Sequence, residues 1–174
     1  MAATAIVLPF YELDAVVGRH RRALTSHGAE GMPAHVTLIY PFVDHHDLGD
    51  PEIVRLQTAL APFSAFDVTF ARFGRFAAMP PVLYLEPDPA RPLLDMIAAL
   101  AREFPGFPPF GGIHETVVLH LTIAQTDEAA AMRAAEDEVG RRLPIRTHVA
   151  ETAIMRHGDG GWRPRERVAL PPPE

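Results

Sequence analysis

The sequence contains neither cysteine nor lysine. Without cysteine the chain cannot form a disulfide, a thiolate zinc site or a cysteine nucleophile, so any metal site would need histidine and carboxylate ligands. Hydrophobic runs long enough to span a membrane are also missing, and the first residues lack the basic start and apolar stretch of a secretory signal. These absences predict a cytoplasmic protein that does not use a membrane as a partner.

Charge is carried by arginine on one side and by carboxylates on the other. All 16 basic residues are arginines, 22 residues are acidic, and the formal net charge is -6. This balance disfavours binding to long duplex nucleic acid, which depends on basic residues neutralising many phosphates, but it permits a small or terminal phosphate ligand. Seven arginines lie between Arg141 and Arg167. Because a guanidinium matches phosphate oxygens, this segment either faces phosphate or forms a solvated basic face.

The chain has 174 residues, of which 48% are hydrophobic, and this fits a single globular domain. Hydrophobic patterning predicts strands at 4–8, 35–42, 66–73, 82–85, 117–124, 145–155 and 167–170. Helices are predicted around 13–24, from Asp50, between Asp88 and Phe104, and over 127–142. The sequence GDGG at 158–161 predicts a turn that joins the last two strands as a hairpin.

The order of these elements predicts an internal repeat. Strand, helix, strand, helix, strand occurs once over about 4–73 and again over about 82–170, with an extra strand at the end. A period this long is unlike that of a solenoid. It indicates one bilobal domain whose two lobes are related by a pseudo-two-fold axis, each contributing one strand to a shared cleft.

Two predicted strands carry a histidine and a threonine on one face. In PAHVTLIYPF (33–42) a period of two puts His35 and Thr37 on the same side, opposite Val36 and Leu38. The second repeat reads VVLHLTIAQ (117–125), with His120 and Thr122 in the same relation, 85 residues later. We therefore expect the two pairs to meet in the cleft between the lobes.

The bare triplet His-x-Thr is short enough to occur by chance in a chain with nine histidines. A third copy at 114–116 is rejected because Glu115 would have to face the core. The two accepted copies gain weight from their apolar flanks and equivalent positions. The alternatives are that both histidines are merely structural strand residues, or that His45, His46 and Asp47 bind a metal ion instead.

The motifs HVTL and HLTI, with the opening AIVLPF, the PFGG loop and the closing RHGDGGW hairpin, resemble the 2H phosphoesterase superfamily, specifically its bacterial 2′-5′ RNA ligase-like branch. The resemblance covers nearly the whole chain. It implies an α+β bilobal fold in which two antiparallel sheets line a central cleft, with helices outside. It also implies chemistry without a metal or other cofactor on 2′,3′-cyclic or 2′-5′ phosphodiesters of nucleotides or RNA ends, and hence a role in RNA processing.

The residues suit this chemistry independently, because two histidines supply an acid and a base near neutral pH. His35 and His120 are the predicted acid-base pair, and Thr37 and Thr122 are predicted to donate hydrogen bonds to nonbridging phosphate oxygens. Tyr40, Phe110 and Gln125 are predicted to contact the substrate, a small cyclic nucleotide or an RNA terminus.

The sequence departs from the family pattern at Gln125, where some relatives carry a basic residue five positions after the second motif histidine. This departure leaves ligase-type activity and the exact substrate open. Arg75 or an arginine of the 141–167 segment could replace the missing charge. The alternative from another functional class is a non-catalytic module that binds nucleotides or RNA ends. A monomer is expected, because two lobes already complete the site.

Overall fold

The computed structural model describes residues 4–112 and 116–173. His114 of the rejected triplet lies outside these ranges. Eight strands are described: β1 Thr4–Pro9, β2 His35–Ile39, β3 Phe66–Phe76, β4 Val82–Asp88, β5 Leu121–Gln125, β6 Ile145–Val149, β7 Glu151–Gly158 and β8 Gly161–Ala169. The helices are α1 Asp14–Leu24, α2 Ser26–Ala29, α3 Asp50–Leu60, α4 Arg91–Glu103 and α5 Ala129–Gly140.

The strands form two antiparallel four-stranded sheets, as the α+β bilobal fold class predicts. The first sheet has the order β2-β1-β7-β8, and the second has the order β5-β4-β3-β6. The first sheet therefore combines two strands of the first repeat, β1 and β2, with the last two strands of the chain, whereas the second sheet combines β3 of the first repeat with three strands of the second repeat. Strand β3 leaves the first half to pair with β4, and strand β7 leaves the second half to pair with β1.

The helices cover the outer faces of the sheets and link them. The apolar side of α4 buries Leu93, Met96, Ile97 and Leu100, and this helix packs against β2. Helix α1 follows β1 of the first sheet but packs against β5 of the second. A continuous hydrophobic core extends from β1 and β2 to β4 and β5. The two edge strands that carry the His-x-Thr motifs, β2 and β5, lie next to each other.

The helix α3 begins where the Asp50-Pro51 pair predicts. Pro51 occupies its first turn, and the Glu52 carboxylate accepts a hydrogen bond from the Gly49 amide at 3.0 Å. This contact satisfies one of the amides that a helix N-terminus leaves without an intrahelical partner. No helix within the described ranges is both long enough and apolar enough to cross a membrane.

Several predicted boundaries are wrong. Asp88 ends β4 and does not begin α4, whose first residue is Arg91. The run 145–155 is two strands in different sheets, because the chain crosses from β6 to β7 at Ala150. The last strand begins at Gly161, six residues earlier than expected, since its alternation is hidden by arginines and Pro164. The predicted hairpin turn is confirmed, with Gly158 paired to Gly161.

Candidate active site

The structure brings both His-x-Thr pairs to one cleft of about 230 Å³. In β2, Val36 and Leu38 are fully buried in the core, while His35 and Thr37 face the cleft and are half-buried. The same alternation holds around His120 and Thr122, whose neighbours Leu121 and Ile123 are buried. A strand with period two thus supplies a core face and a polar face at once.

The second motif differs from its prediction in one detail. His120 precedes β5 and is not part of it, because the ladder between β4 and β5 ends at the pair Leu85–Leu121. From that point β4 continues in its pairing with β3 only. The side-chain alternation nevertheless continues from Leu119 to Ile123, so the histidine keeps its orientation toward the cleft.

The two histidine rings are held by the same backbone contact. His35 Nδ1 lies 2.7 Å from the Pro33 carbonyl oxygen, and His120 Nδ1 lies 2.7 Å from the Val118 carbonyl oxygen. A carbonyl oxygen can only accept, so in each ring Nδ1–H is the donor. This fixes the tautomer of the neutral imidazole, in which Nε2 is the unprotonated nitrogen.

The surroundings of His35 strongly favour its neutral form. Burial, followed by the positive charge of Arg21, lowers the pKa of His35 to about 3, and the hydrogen bond to the Pro33 carbonyl offsets only part of this effect. The other histidines that face it, His27 and His120, lower the pKa further. His35 is therefore a neutral imidazole across the physiological pH range.

His120 lies among aromatic rings. Its ring stacks with Phe110 at a centroid distance of 5.8 Å and makes an edge contact with Phe76 at 5.0 Å, and Tyr84 lies 5.5 Å away. Phe110 has a φ of 51°, a left-handed conformation that is uncommon for a bulky residue. An adjoining cavity of about 480 Å³ shares Phe76, Phe110 and His120 with the cleft.

All three predicted substrate contacts, Tyr40, Phe110 and Gln125, line the cleft. Further lining residues that sequence reasoning missed include Arg21, His27, Phe76 and Trp162. Trp162 is 2% exposed, yet it lines the cleft and contacts the rings of Tyr40 and His27 at 6.2 and 5.6 Å. One wall of the cleft is therefore aromatic.

Arg21 could have been found from its place in the helix pattern. It follows Val17 by four residues and precedes Leu24 by three, so it lies on the apolar face of α1. His20 on this helix is also only 7% exposed, and its Nε2 lies 3.2 Å from Glu138 Oε2. His27 belongs to the separate short helix α2.

The arginines proposed to replace the missing basic residue lie elsewhere. Arg75 pairs with Glu136. Within the described residues, none of the seven arginines between 141 and 167 lines the cleft; Arg163 and Arg167 line a different cavity, where Arg167 lies over the Tyr11 ring. Among all residues that the structure describes, Arg21 is the one guanidinium at the cleft.

The alternative metal site receives no ligand set from the described residues. The rings of His45 and His46 lie 4.8 Å apart, but nowhere in 4–112 or 116–173 do three histidine, aspartate or glutamate side chains come together as metal ligands would. His148 and His157 are also away from the two His-x-Thr pairs. His148 pairs with Asp67, and His157 pairs with Glu30 behind Trp162.

Comparison with solved structures shows a known fold. The chain superimposes on Escherichia coli LigT complexed with 3′-AMP with a TM-score of 0.62, 16% identity and 97% coverage of both chains. The protein TT0787 of Thermus thermophilus gives a TM-score of 0.65, 16% identity and 99% coverage of both chains. LigT complexed with NADP+ gives 0.59, 15% and 97% of both chains. Comparison with curated protein sequences gives no match.

The family model of the 2′-5′ RNA ligase superfamily matches residues 9–161. This match includes both His-x-Thr motifs and every lining residue named above except Trp162. It agrees with the fold shared with LigT and with the resemblance drawn from the motifs. The chain therefore belongs to the 2′-5′ RNA ligase superfamily, the 2H phosphoesterases, which supports an enzyme of phosphodiesterase type.

Proposed function

We propose that this protein is a metal-independent phosphodiesterase that opens 2′,3′-cyclic phosphates, or acts on 2′-5′ linkages, of nucleotides or RNA ends. The observation that carries the proposal is the pair of histidines in one cleft, each with Nδ1 donating to the carbonyl two residues earlier. Two imidazoles oriented by the same contact at one cleft can supply the base and the acid that in-line displacement at phosphorus needs.

The environments of the histidines divide their roles. His35 is neutral because burial and Arg21 lower its pKa, so it is the general base whose Nε2 accepts a proton from the attacking water. His120 is then the general acid, and the step begins with its ring as an imidazolium, in which Nδ1–H donates to the Val118 carbonyl and Nε2 carries a second proton. As the water oxygen bonds to phosphorus, the bond from phosphorus to one ribose oxygen breaks, and that oxygen takes the proton of His120 Nε2. Exchange of protons with solvent restores both rings.

The threonines hold the phosphate during this step. Thr37 and Thr122 each lie two residues after a histidine, on the same face of their strands and at the cleft. Their hydroxyls can donate to the two nonbridging oxygens, where negative charge must be stabilised. The guanidinium of Arg21 adds a fixed positive charge behind the cleft.

The aromatic wall supports a nucleotide or RNA end as the substrate. Tyr40 and Trp162 on one side and Phe110 on the other can contact flat bases, and LigT has been solved with 3′-AMP, NADP+ and ATP. Gln125 provides an amide where some relatives have a charge. A neutral contact suits a monoanionic phosphodiester better than a dianionic phosphate end.

The test is product analysis with 2′,3′-cyclic nucleotides and with 2′-5′-linked dinucleotides, in the presence of chelator. We expect turnover by the wild type that His35→Ala and His120→Ala both abolish. His148→Ala is the matched control, because this histidine pairs with Asp67 away from the cleft. The position of the phosphate in the product identifies the leaving oxygen.

Two results would contradict the proposal. Nucleotide binding without turnover of any substrate would favour the binding module of the same fold. Loss of activity on adding chelator, with recovery on adding a divalent metal, would instead favour a metal hydrolase.

A further inference from the structure

The arginine on the first helix is buried more deeply than any other charged side chain that the structure describes. Arg21 is 2% exposed and lies between the cleft and a second cavity behind it. Burying a guanidinium is costly unless its donors find acceptors. The partners of Arg21 therefore indicate what this burial achieves.

Three backbone carbonyl oxygens accept hydrogen bonds from Arg21. Nη2 donates to Met32 O at 3.2 Å and to Pro33 O at 3.0 Å, in the loop that leads into β2. Nη1 donates to the Thr122 carbonyl in β5 of the other sheet. One planar fork therefore connects the backbone of the first His-x-Thr motif with that of the second.

The acceptor at Pro33 is shared with a catalytic ring. The same carbonyl oxygen accepts from Arg21 Nη2 at 3.0 Å and from His35 Nδ1 at 2.7 Å. A carbonyl has two lone pairs, so both donors can be accommodated at once. Movement of Arg21 would thus disturb the oxygen that orients His35, together with the strand that carries Thr122.

We propose that Arg21 is a positioning residue, which fixes the separation of the two His-x-Thr motifs and keeps a positive charge beside His35. This inference rests on the proposed function for its kinetic consequences, but its structural part stands on the three contacts. Lysine cannot replace the fork, because one ammonium cannot reach carbonyls on both sides in the same planar geometry.

The charge has a consequence for proton transfer. The charged and titratable groups that face His35 are Arg21 from α1, His27 from α2 and His120 from the second motif. Desolvation lowers the pKa of Arg21 to about 10, partly offset by Asp14, so the guanidinium stays charged at neutral pH. Removing this charge should raise the pKa of His35.

The experiment compares Arg21→Lys, which keeps a charge without the fork, with Arg21→Met, which removes both. Arg22→Gln is the matched control, since Arg22 is the exposed neighbour on the same helix. We expect a loss in kcat of about 10²-fold for Arg21→Lys, as for a displaced catalytic group, and a larger loss for Arg21→Met. The acidic limb of kcat/KM should move to higher pH only in Arg21→Met.

A second measurement does not need turnover. Nuclear magnetic resonance should show carbonyl carbon shifts at both Pro33 and Thr122 in Arg21→Lys, and the imidazole of His35 should titrate at higher pH in Arg21→Met than in the wild type. Arg22→Gln should change none of these signals. If Arg21→Met fails to fold, Arg21→Lys still decides the positioning role, and Arg21→Gln, which also removes the charge, takes its place in the His35 titration.

The outcomes separate this inference from the proposed function. Wild-type kcat in a folded Arg21→Lys variant, or carbonyl signals that move at one motif only, would overturn the positioning role. An unchanged His35 titration in folded Arg21→Met would overturn the electrostatic part. If the wild type turns over no substrate but the carbonyl and imidazole signals move as expected, the proposed function fails while the role of Arg21 in the architecture stands.

Discussion

The two His-x-Thr motifs are nearly identical in sequence but lie in different surroundings. The first lies in the edge strand β2, the second runs from His120 into the edge strand β5, and both rings donate from Nδ1 to a carbonyl at 2.7 Å. His35, however, is next to a buried guanidinium, whereas His120 is enclosed by Phe76, Tyr84 and Phe110. A repeated motif can thus place two copies of one group in different surroundings, and in the proposed mechanism these surroundings assign which copy accepts the proton.

The largest expected effect on activity comes from removing either histidine. His35→Ala and His120→Ala should each lower kcat by about 10²–10⁴-fold, because each removes one of the two proton-transfer groups. The double variant should lose little more than one single variant, since the two rings act as a unit. Steady-state kinetics on a 2′,3′-cyclic nucleotide checks this. If the fold-loss in kcat of the double variant equals the product of the two single losses, the histidines act independently.

The threonines provide a test in which the two motifs should behave alike. Thr37→Val and Thr122→Val should each lower kcat by roughly 10–10²-fold, at or below the effect of removing one oxyanion donor, because the shape is kept and only the hydroxyl is lost. Thr58→Val is the control, since its hydroxyl bonds within α3. A loss of kcat in only one of the two threonine variants would mean that only one motif donates a hydrogen bond to the phosphate.

The pH profile sharpens the difference between the histidines. Since the pKa of His35 is lowered to about 3, the acidic limb of kcat/KM should lie well below the ordinary histidine value of about 6.5. Measurement of kcat/KM from pH 4 to pH 9 decides; an acidic limb near pH 6.5 would show that His35 is readily protonated in the free enzyme.

The smallest effect concerns stability. The folded pKa of His35 is below its unfolded value, so the unfolded chain binds a proton that the folded chain does not. Stability should therefore fall as the pH drops from about 6.5 toward 3. In His35→Asn this part of the pH dependence should be lost. The urea midpoint of unfolding, measured at pH 7 and at pH 4.5 for both proteins, gives the loss of stability on acidification. An equal loss in the wild type and in His35→Asn would contradict the lowered pKa.

Much of this arrangement could be predicted from the sequence because it depends on local periodicity. Alternation with period two placed His35 and Thr37 opposite Val36 and Leu38, and the repeat brought His120 and Thr122 to the same cleft. The crossing at Ala150 could not be predicted, since both flanking strands read as one run and only their partners differ. The place of Arg21 on the apolar face of α1 follows from its spacing to Val17 and Leu24, but its acceptors could not be predicted, because backbone carbonyls leave no sequence pattern.

The exchange of strands between the halves has a mechanical consequence. Since β3 completes the second sheet and β7 completes the first, a fragment that ends between β3 and β4 would contain β1 and β2 without β7 and would leave β3 with no partner. Each sheet thus needs strands from both sequence repeats. We expect the chain to unfold in a single cooperative transition, and neither half to act as an autonomous domain.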